Sequence, residues 1–106
     1  MKAQKKEYSV SFNGKKIKIK NYILCDTALK KARGLMFRPK NFKTPLVFLW
    51  KNPEKYSIHS FFCRKFLAVW LIDGKILEMK VVKPWRFIII PKKKFNVLIE
   101  IPLRNL

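Results

Sequence analysis

The stretch Ile58–Asp73 reads IHSFFCRKFLAVWLID. It holds the chain's one histidine, one of its two cysteines and its densest run of aromatic and aliphatic side chains. How it folds decides the rest. Short apolar runs rich in Phe, Val, Ile and Trp and bounded by polar residues suit buried strands. The stretch therefore reads as two consecutive buried strands, Ile58–Cys63 and Leu67–Ile72, with Arg64 and Lys65 at the corner between them. On a strand, His59 and Cys63 are too far apart to touch. On a helix they would share a face and could begin a metal or nucleophile site.

Working outward, Asp73-Gly74 is a turn signal, and Lys75–Val82 follows as a strand that Pro84 breaks. Trp85–Ile90 and Phe95–Ile101 add two more, the last closed by Pro102. Upstream, Pro45–Trp50 is a continuous apolar run, with a loop expected over Lys51–Lys55. Tyr8, Val10 and Phe12 alternate with Ser9 and Ser11, the period of a half-buried strand. Asn13-Gly14 suits a type I′ turn, and Lys15–Lys20 returns with Ile17 and Ile19 inward. Tyr22–Cys25 ends or continues that strand. Asp26 or Thr27 can cap a helix in which Ala28, Leu29, Ala32, Leu35 and Met36 fall at helical spacing. Gly34 weakens this helix or marks close packing, and Pro39 stops it. The expected fold is α+β, mainly β. It is a compact curled antiparallel sheet or small barrel-like sandwich of seven or eight short strands, with one short helix near residues 27–36.

A chain of 106 residues suits one domain, 1–106, with residues 1–6 as a frayed lead-in. Hydrophobic residues make up 49%, a globular rather than disordered composition. The charge is lopsided: 25 Lys and Arg face six Asp and Glu, for a net +19. Most lysines can have no acidic partner, so the surface is either a lysine-coated solvated one or one that attracts polyanions such as nucleic acid or acidic lipid. The basic residues are spread in pairs and one triplet, Lys92–Lys94, rather than gathered in a tail. The opening MKAQKKEYSV lacks the apolar core of a secretory signal, and the longest apolar run, Phe66–Ile72, is too short for a membrane span. Cys25 and Cys63 make no disulfide framework. A cytoplasmic setting with free thiols is expected.

Candidate chemistry is sparse. A tetrahedral zinc site would need two ligands beyond His59 and Cys63, so no metal or cofactor is expected. Asp26 suits a helix cap and Asp73 a turn. The glycines sit singly, so there is no phosphate-binding loop. Arginines in apolar surroundings are costly unless paired or exposed at a site. Arg33, Arg38 and Arg64 are such arginines. Each either answers backbone carbonyls at a sheet corner or joins His59 in an anion-recognising ligand site. Trp50, Trp70 and Trp85 are candidates for stacking unpaired bases, and equally for core.

Several segments together resemble one family. Ala32–Arg38 (ARGLMFR) resembles the signature of the family called domain of unknown function 192, also uncharacterised protein family 0127. Leu46-Val47-Phe48 resembles the strand that follows it there. Ile58–Asp73 is similar to the family's IHSFFMRFPIDVIFLD. Lys83–Arg86 resembles its proline-tryptophan turn, and Val97–Pro102 its closing VLELP strand. Three positions depart: Cys63 stands for a methionine, Phe66 for a proline and Ala68 for an acid. The resemblance implies a compact β-rich domain and no reaction. An activity that needed the acid would be missing here. The expected role is a non-enzymatic binding or accessory domain. The alternatives are a nucleic-acid-associated protein and a small anionic-ligand or enzymatic domain using His59 and the arginines.

Overall fold

Phe66–Ile72 forms a strand in which every residue but the last is buried. In the computed structural model, which describes residues 6–39, 41–60, 62–86 and 88–103, it lies inside a five-stranded sheet. The elements are β1 (Tyr8–Phe12), β2 (Lys15–Ile19), β3 (Ile23–Cys25), α1 (Ala28–Arg33), β4 (Leu46–Glu54), β5 (Phe66–Ile72), β6 (Lys75–Val82) and β7 (Phe95–Pro102). The sheet order is β3-β4-β7-β5-β6, and β1-β2 is a separate hairpin. All pairs are antiparallel except β3–β4, which α1 connects in parallel. The sheet is not closed into a barrel: β3 and β6 remain edges.

Strand alternation gives the large sheet two apolar faces. On one, Val47, Leu67, Val69, Leu71, Ile99 and Ile101 pack under Val10 and Ile19 of the hairpin. On the other, Leu46, Phe48, Phe66, Ala68, Trp70 and Leu98 pack with Leu35, Cys63 and Ile89. Burying one such aliphatic or aromatic side chain stabilises by roughly 1.5–3 kcal/mol. Both expected turns form, with positive φ at Asn13, Gly14, Asp73 and Gly74, as type I′ turns require.

Four expectations are corrected. Among the described residues of Ile58–Cys63, which leave out Phe61, there is no strand and one bridge, Ile58 to Ile89. Trp85–Ile90 fails with it, and Phe87 lies outside the described residues. Ser60 is the reason. Fully buried, its hydroxyl donates to the Lys83 carbonyl at 2.7 Å and accepts from the Arg86 amide at 2.7 Å. Its carbonyl takes the amides of Cys63 and Trp85. A serine that captures backbone groups in this way competes with a strand ladder. Second, the Lys51–Lys55 loop is mostly strand, since β4 runs to Glu54. A register shift between Leu49 and Glu54 accommodates Pro53. Third, Ile23–Cys25 is a strand of its own, beside β4.

Fourth, the helix ends at Arg33, not Met36. Thr27 caps it, accepting the Lys30 amide at 3.2 Å. Gly34 terminates it at φ 48°, ψ −126°, a conformation suited to glycine. The helix buries none of its residues, and Leu29 is 82% exposed. Of the expected lead-in, residues 1–5 lie outside the described residues; the Lys6 carbonyl accepts the Tyr22 hydroxyl at 2.7 Å. Among the described residues no helix is long and apolar enough to cross a membrane.

Candidate functional site

Because α1 stands off the sheet, a cleft of about 500 Å³ opens between them. Ala32, Arg33, Gly34 and Met36 line one side, and His59 and Cys63 come from the loop before β5. Across it stands an aromatic wall. Trp50 stacks on Tyr56 at 4.7 Å and 13°, and Phe48 lies 6.2 Å from Trp50 at 14°. Phe95 meets Trp50 edge-on at 5.2 Å. The Lys31 ammonium sits 4.8 Å above the Trp50 ring, a cation–π contact from the helix side.

From the sheet, Glu100 also borders the cleft, yet is only 5% exposed. Its cross-strand neighbours are Leu46 on β4 and Ala68 on β5, and neither can answer a carboxyl group. Among the described residues nothing hydrogen-bonds or ion-pairs with it. Burial pushes its pKa up to about 8. At neutral pH most of it is an uncharged acid, with one O–H donor and a carbonyl acceptor. Gly34, at the helix end, packs beside this group: a Cβ there would stand 3.5 Å from Glu100 Oε1 and 3.4 Å from the Phe48 ring, ordinary van der Waals contact. The thiols are inert by the same physics. Burial, then the Glu100 charge, pushes Cys25 up to about 11 and Cys63 up to about 12. A protonated thiol is a poor nucleophile and metal ligand. Among the described residues no three His, Cys, Asp or Glu side chains are grouped to hold a metal ion.

The four residues singled out in the sequence divide. Arg33 and His59 border the cleft. Arg38 and Arg64 instead share a small hollow of about 20 Å³ with Pro39, Phe42 and Lys65. Arg38 is half-buried: its Nε donates to the Gly34 carbonyl at 3.3 Å and its guanidinium covers the Phe42 ring at 4.7 Å. Burial and the neighbouring Arg33 charge lower its pKa. Arg64 is exposed. Expected to be held apart on a strand, His59 and Cys63 border one cleft instead. Of the tryptophans, Trp50 lines the cleft, Trp70 is core and Trp85 is exposed. Glu100 was missed, although it is legible: it falls on the same strand face as buried Leu98, where an acid is out of pattern.

Comparison with known proteins places this architecture. No protein-family model matches the chain. A UPF0127 protein of Pyrococcus horikoshii is 31% identical over 81 residues, which cover 74% of this chain and 70% of that protein. A UPF0127 protein of Pyrococcus furiosus is 30% identical over 91 residues, covering 84% and 77%. The chain belongs to the UPF0127 family. A UPF0127 protein of Thermococcus sibiricus is 34% identical over 84 residues, and this UPF0127 chain spans about half its length, 53%. These relatives are named for the family alone. Two solved structures share the fold. A protein of unknown function from Novosphingobium aromaticivorans matches with a TM-score of 0.69 and 17% identity over 88% of this chain and 69% of its own. A Sinorhizobium meliloti protein, proposed to be a transcription regulator, matches with a TM-score of 0.71 and 16% identity over 90% and 77%.

Proposed function

We propose that this UPF0127 chain is a single cytoplasmic binding domain, and that its ligand site is the cleft between α1 and the sheet. The carrying observation is Glu100, a buried carboxyl group that borders the cleft without a protein partner among the described residues. Its carboxyl oxygens open on the cleft rather than being sealed in the core, so whatever fills the cleft meets them. A ligand presenting an adjacent acceptor and donor, as an amide edge does, would answer the neutral acid on both sides. The aromatic wall favours a flat ring next to that edge. Lys31 and Arg33, with His59 beside them, favour a negative charge farther out. The ligand class is thus a small anion carrying a heteroaromatic or amide-bearing group. The inert thiols favour binding over thiol chemistry at this site.

Thermal shift with a panel of nucleoside monophosphates and aromatic carboxylates tests this. A ligand should raise the Tm of the wild type, less that of Glu100→Gln, and not that of Glu100→Leu. An equal response in Glu100→Leu removes the cleft as the site. No response at millimolar concentrations removes the ligand class.

A second reading rests on charge. With 25 basic and six acidic residues, the surface would associate with nucleic acid through phosphate contacts. Affinity that falls steeply with added salt supports it, and no binding at low salt ends it.

A further inference from the structure

Three aromatic side chains that do not line the cleft are held in a way that core packing does not explain. Phe37, Phe62 and Trp85 are 66%, 50% and 57% exposed. Each sits at positive φ: 60°, 55° and 64°. Bulky L-residues avoid that region, and strained residues of this kind gather at functional sites. The three come from separate segments and meet. Phe37 stacks on Phe62 at 4.6 Å and 22°, and Phe62 meets Trp85 at 4.8 Å and 66°. Backbone bonds fix the arrangement. The Phe37 amide donates to the Phe62 carbonyl and the Trp85 amide to the Ser60 carbonyl, each at 3.0 Å. Apolar surface gathered at the solvent in this way marks an interaction site.

The flanking charge says what kind of partner fits. Arg38 follows Phe37, Arg64 and Lys65 follow Phe62, and Lys83 and Arg86 bracket Trp85. Arg64, Lys65, Lys83 and Arg86 are exposed. The segments Arg33–Pro39, Phe62–Lys65 and Lys83–Arg86 contain no acid. Basic side chains alone would suit any polyanion. Exposed rings among them suit a polyanion that carries its own unpaired rings.

We infer that this face binds single-stranded nucleic acid, with bases stacking on Phe37, Phe62 and Trp85 and phosphates on Arg64, Lys65, Lys83 and Arg86. The three rings do not line the cleft, which their chain neighbours Met36 and Cys63 border. The assignment rests on the polyanion reading above, narrowed to one surface and to unpaired strands. A duplex keeps its base faces stacked inside and offers the rings nothing.

The test is fluorescence anisotropy with labelled DNA and RNA strands of about 12 nucleotides, the matching duplex, and poly-glutamate of equal length. The variants are Phe62→Gly and Trp85→Gly, with the hairpin double variant Lys16→Ala/Lys18→Ala as control. Glycine is at ease at positive φ, so the ring is lost without new backbone strain; unfolding curves confirm the fold. The single strand should bind more tightly than the duplex. Each glycine variant should weaken it about 10-fold or more. The control should change affinity less than about 3-fold, the loss of peripheral phosphate contacts. Equal binding of strand and duplex, unchanged by the glycine variants, overturns the aromatic face while leaving general polyanion association standing. No binding of any oligonucleotide at low salt overturns both. Preference for poly-glutamate over the oligonucleotides overturns it in favour of an acidic protein partner.

Discussion

The two faces of the five-stranded sheet are built on different terms. The face under the hairpin is mainly aliphatic, and the polar atom of its buried Tyr22 is answered by the Lys6 carbonyl. The face toward α1 carries the polar groups: the Glu100 acid, two buried thiols and Trp70, whose Nε1–H is buried without a hydrogen-bond partner among the described residues. An unsatisfied buried donor alone costs about 1–3 kcal/mol. Both sides have a hollow, about 530 Å³ beside the hairpin and about 500 Å³ beside α1, but only the α1 side brings a buried acid and a buried thiol to its own. Local rules are broken where function is expected.

The sharpest way to break this comparison is to put a carboxylate on the hairpin face. Val69 is fully buried there. Val69→Asp should abolish cooperative unfolding at pH 7, because an unpaired buried charge costs several kcal/mol, comparable to a domain stability of about 5–15 kcal/mol. Circular dichroism melting would show it. A stable Val69→Asp protein would mean that the two faces tolerate an acid equally.

Glu100 sets the next effect, and its sign is fixed. Its folded pKa is about 8, against an ordinary value of 4.5, so between those pH values the folded state binds more protons than the unfolded. The stability that this group contributes is complete below pH 4.5 and is lost as pH rises through 8. The full difference is on the order of 5 kcal/mol. Glu100→Gln should remove that slope, as measured by urea unfolding across the window. Matching slopes in wild type and variant would show that the carboxyl is solvated or paired.

Glycine substitutions extend the comparison at smaller scale. Gly14, in the hairpin turn at φ 74°, has nothing within 4 Å of an added Cβ. Gly14→Ala should cost only the backbone strain, about 1 kcal/mol. Gly34→Ala meets Phe48 and Glu100 only at ordinary van der Waals distance. Its φ of 48° with ψ of −126° suits a side chain less well than the turn at Gly14, so it should cost about 2 kcal/mol in backbone strain. Equal costs would mean that the backbone at Gly34 relaxes freely.

Much of the hairpin side was legible because its signals are local. Tyr8–Phe12 and Lys15–Ile19 alternate, Asn13-Gly14 sets their register, and Phe66–Ile72 and Phe95–Pro102 are apolar enough to be strands in any context. The α1 side was less legible because its structure is decided over long range. Ile58–Cys63 has strand composition, but Ser60 spends its hydrogen bonds on Lys83 and Arg86, more than twenty residues away. Arg33 and Arg38 look like neighbours in ARGLMFR, but the backbone turn at Gly34 leaves one at the cleft and the other on Phe42. Glu100 could be placed on an inward face by alternation. That its neighbours would be Leu46 and Ala68 is a matter of register, which no local pattern states.

The smallest effect is that of Phe62→Gly, set against a second phenylalanine of the central stretch. Phe66 is fully buried, and Phe66→Ala should cost about 3–5 kcal/mol through lost burial and the cavity left behind. Phe62 is half exposed at φ 55°. Phe62→Gly gives up its ring contacts, worth about 0.5–1.5 kcal/mol, and adds flexibility to the unfolded chain, about 0.5–1 kcal/mol. Against these it relieves a left-handed strain of about 1–2 kcal/mol. The terms nearly cancel, and thermal unfolding should show a net change below about 1 kcal/mol. A loss in Phe62→Gly as large as in Phe66→Ala would make Phe62 a core residue. A near-zero change leaves its ring displayed at the surface, held there for something other than stability.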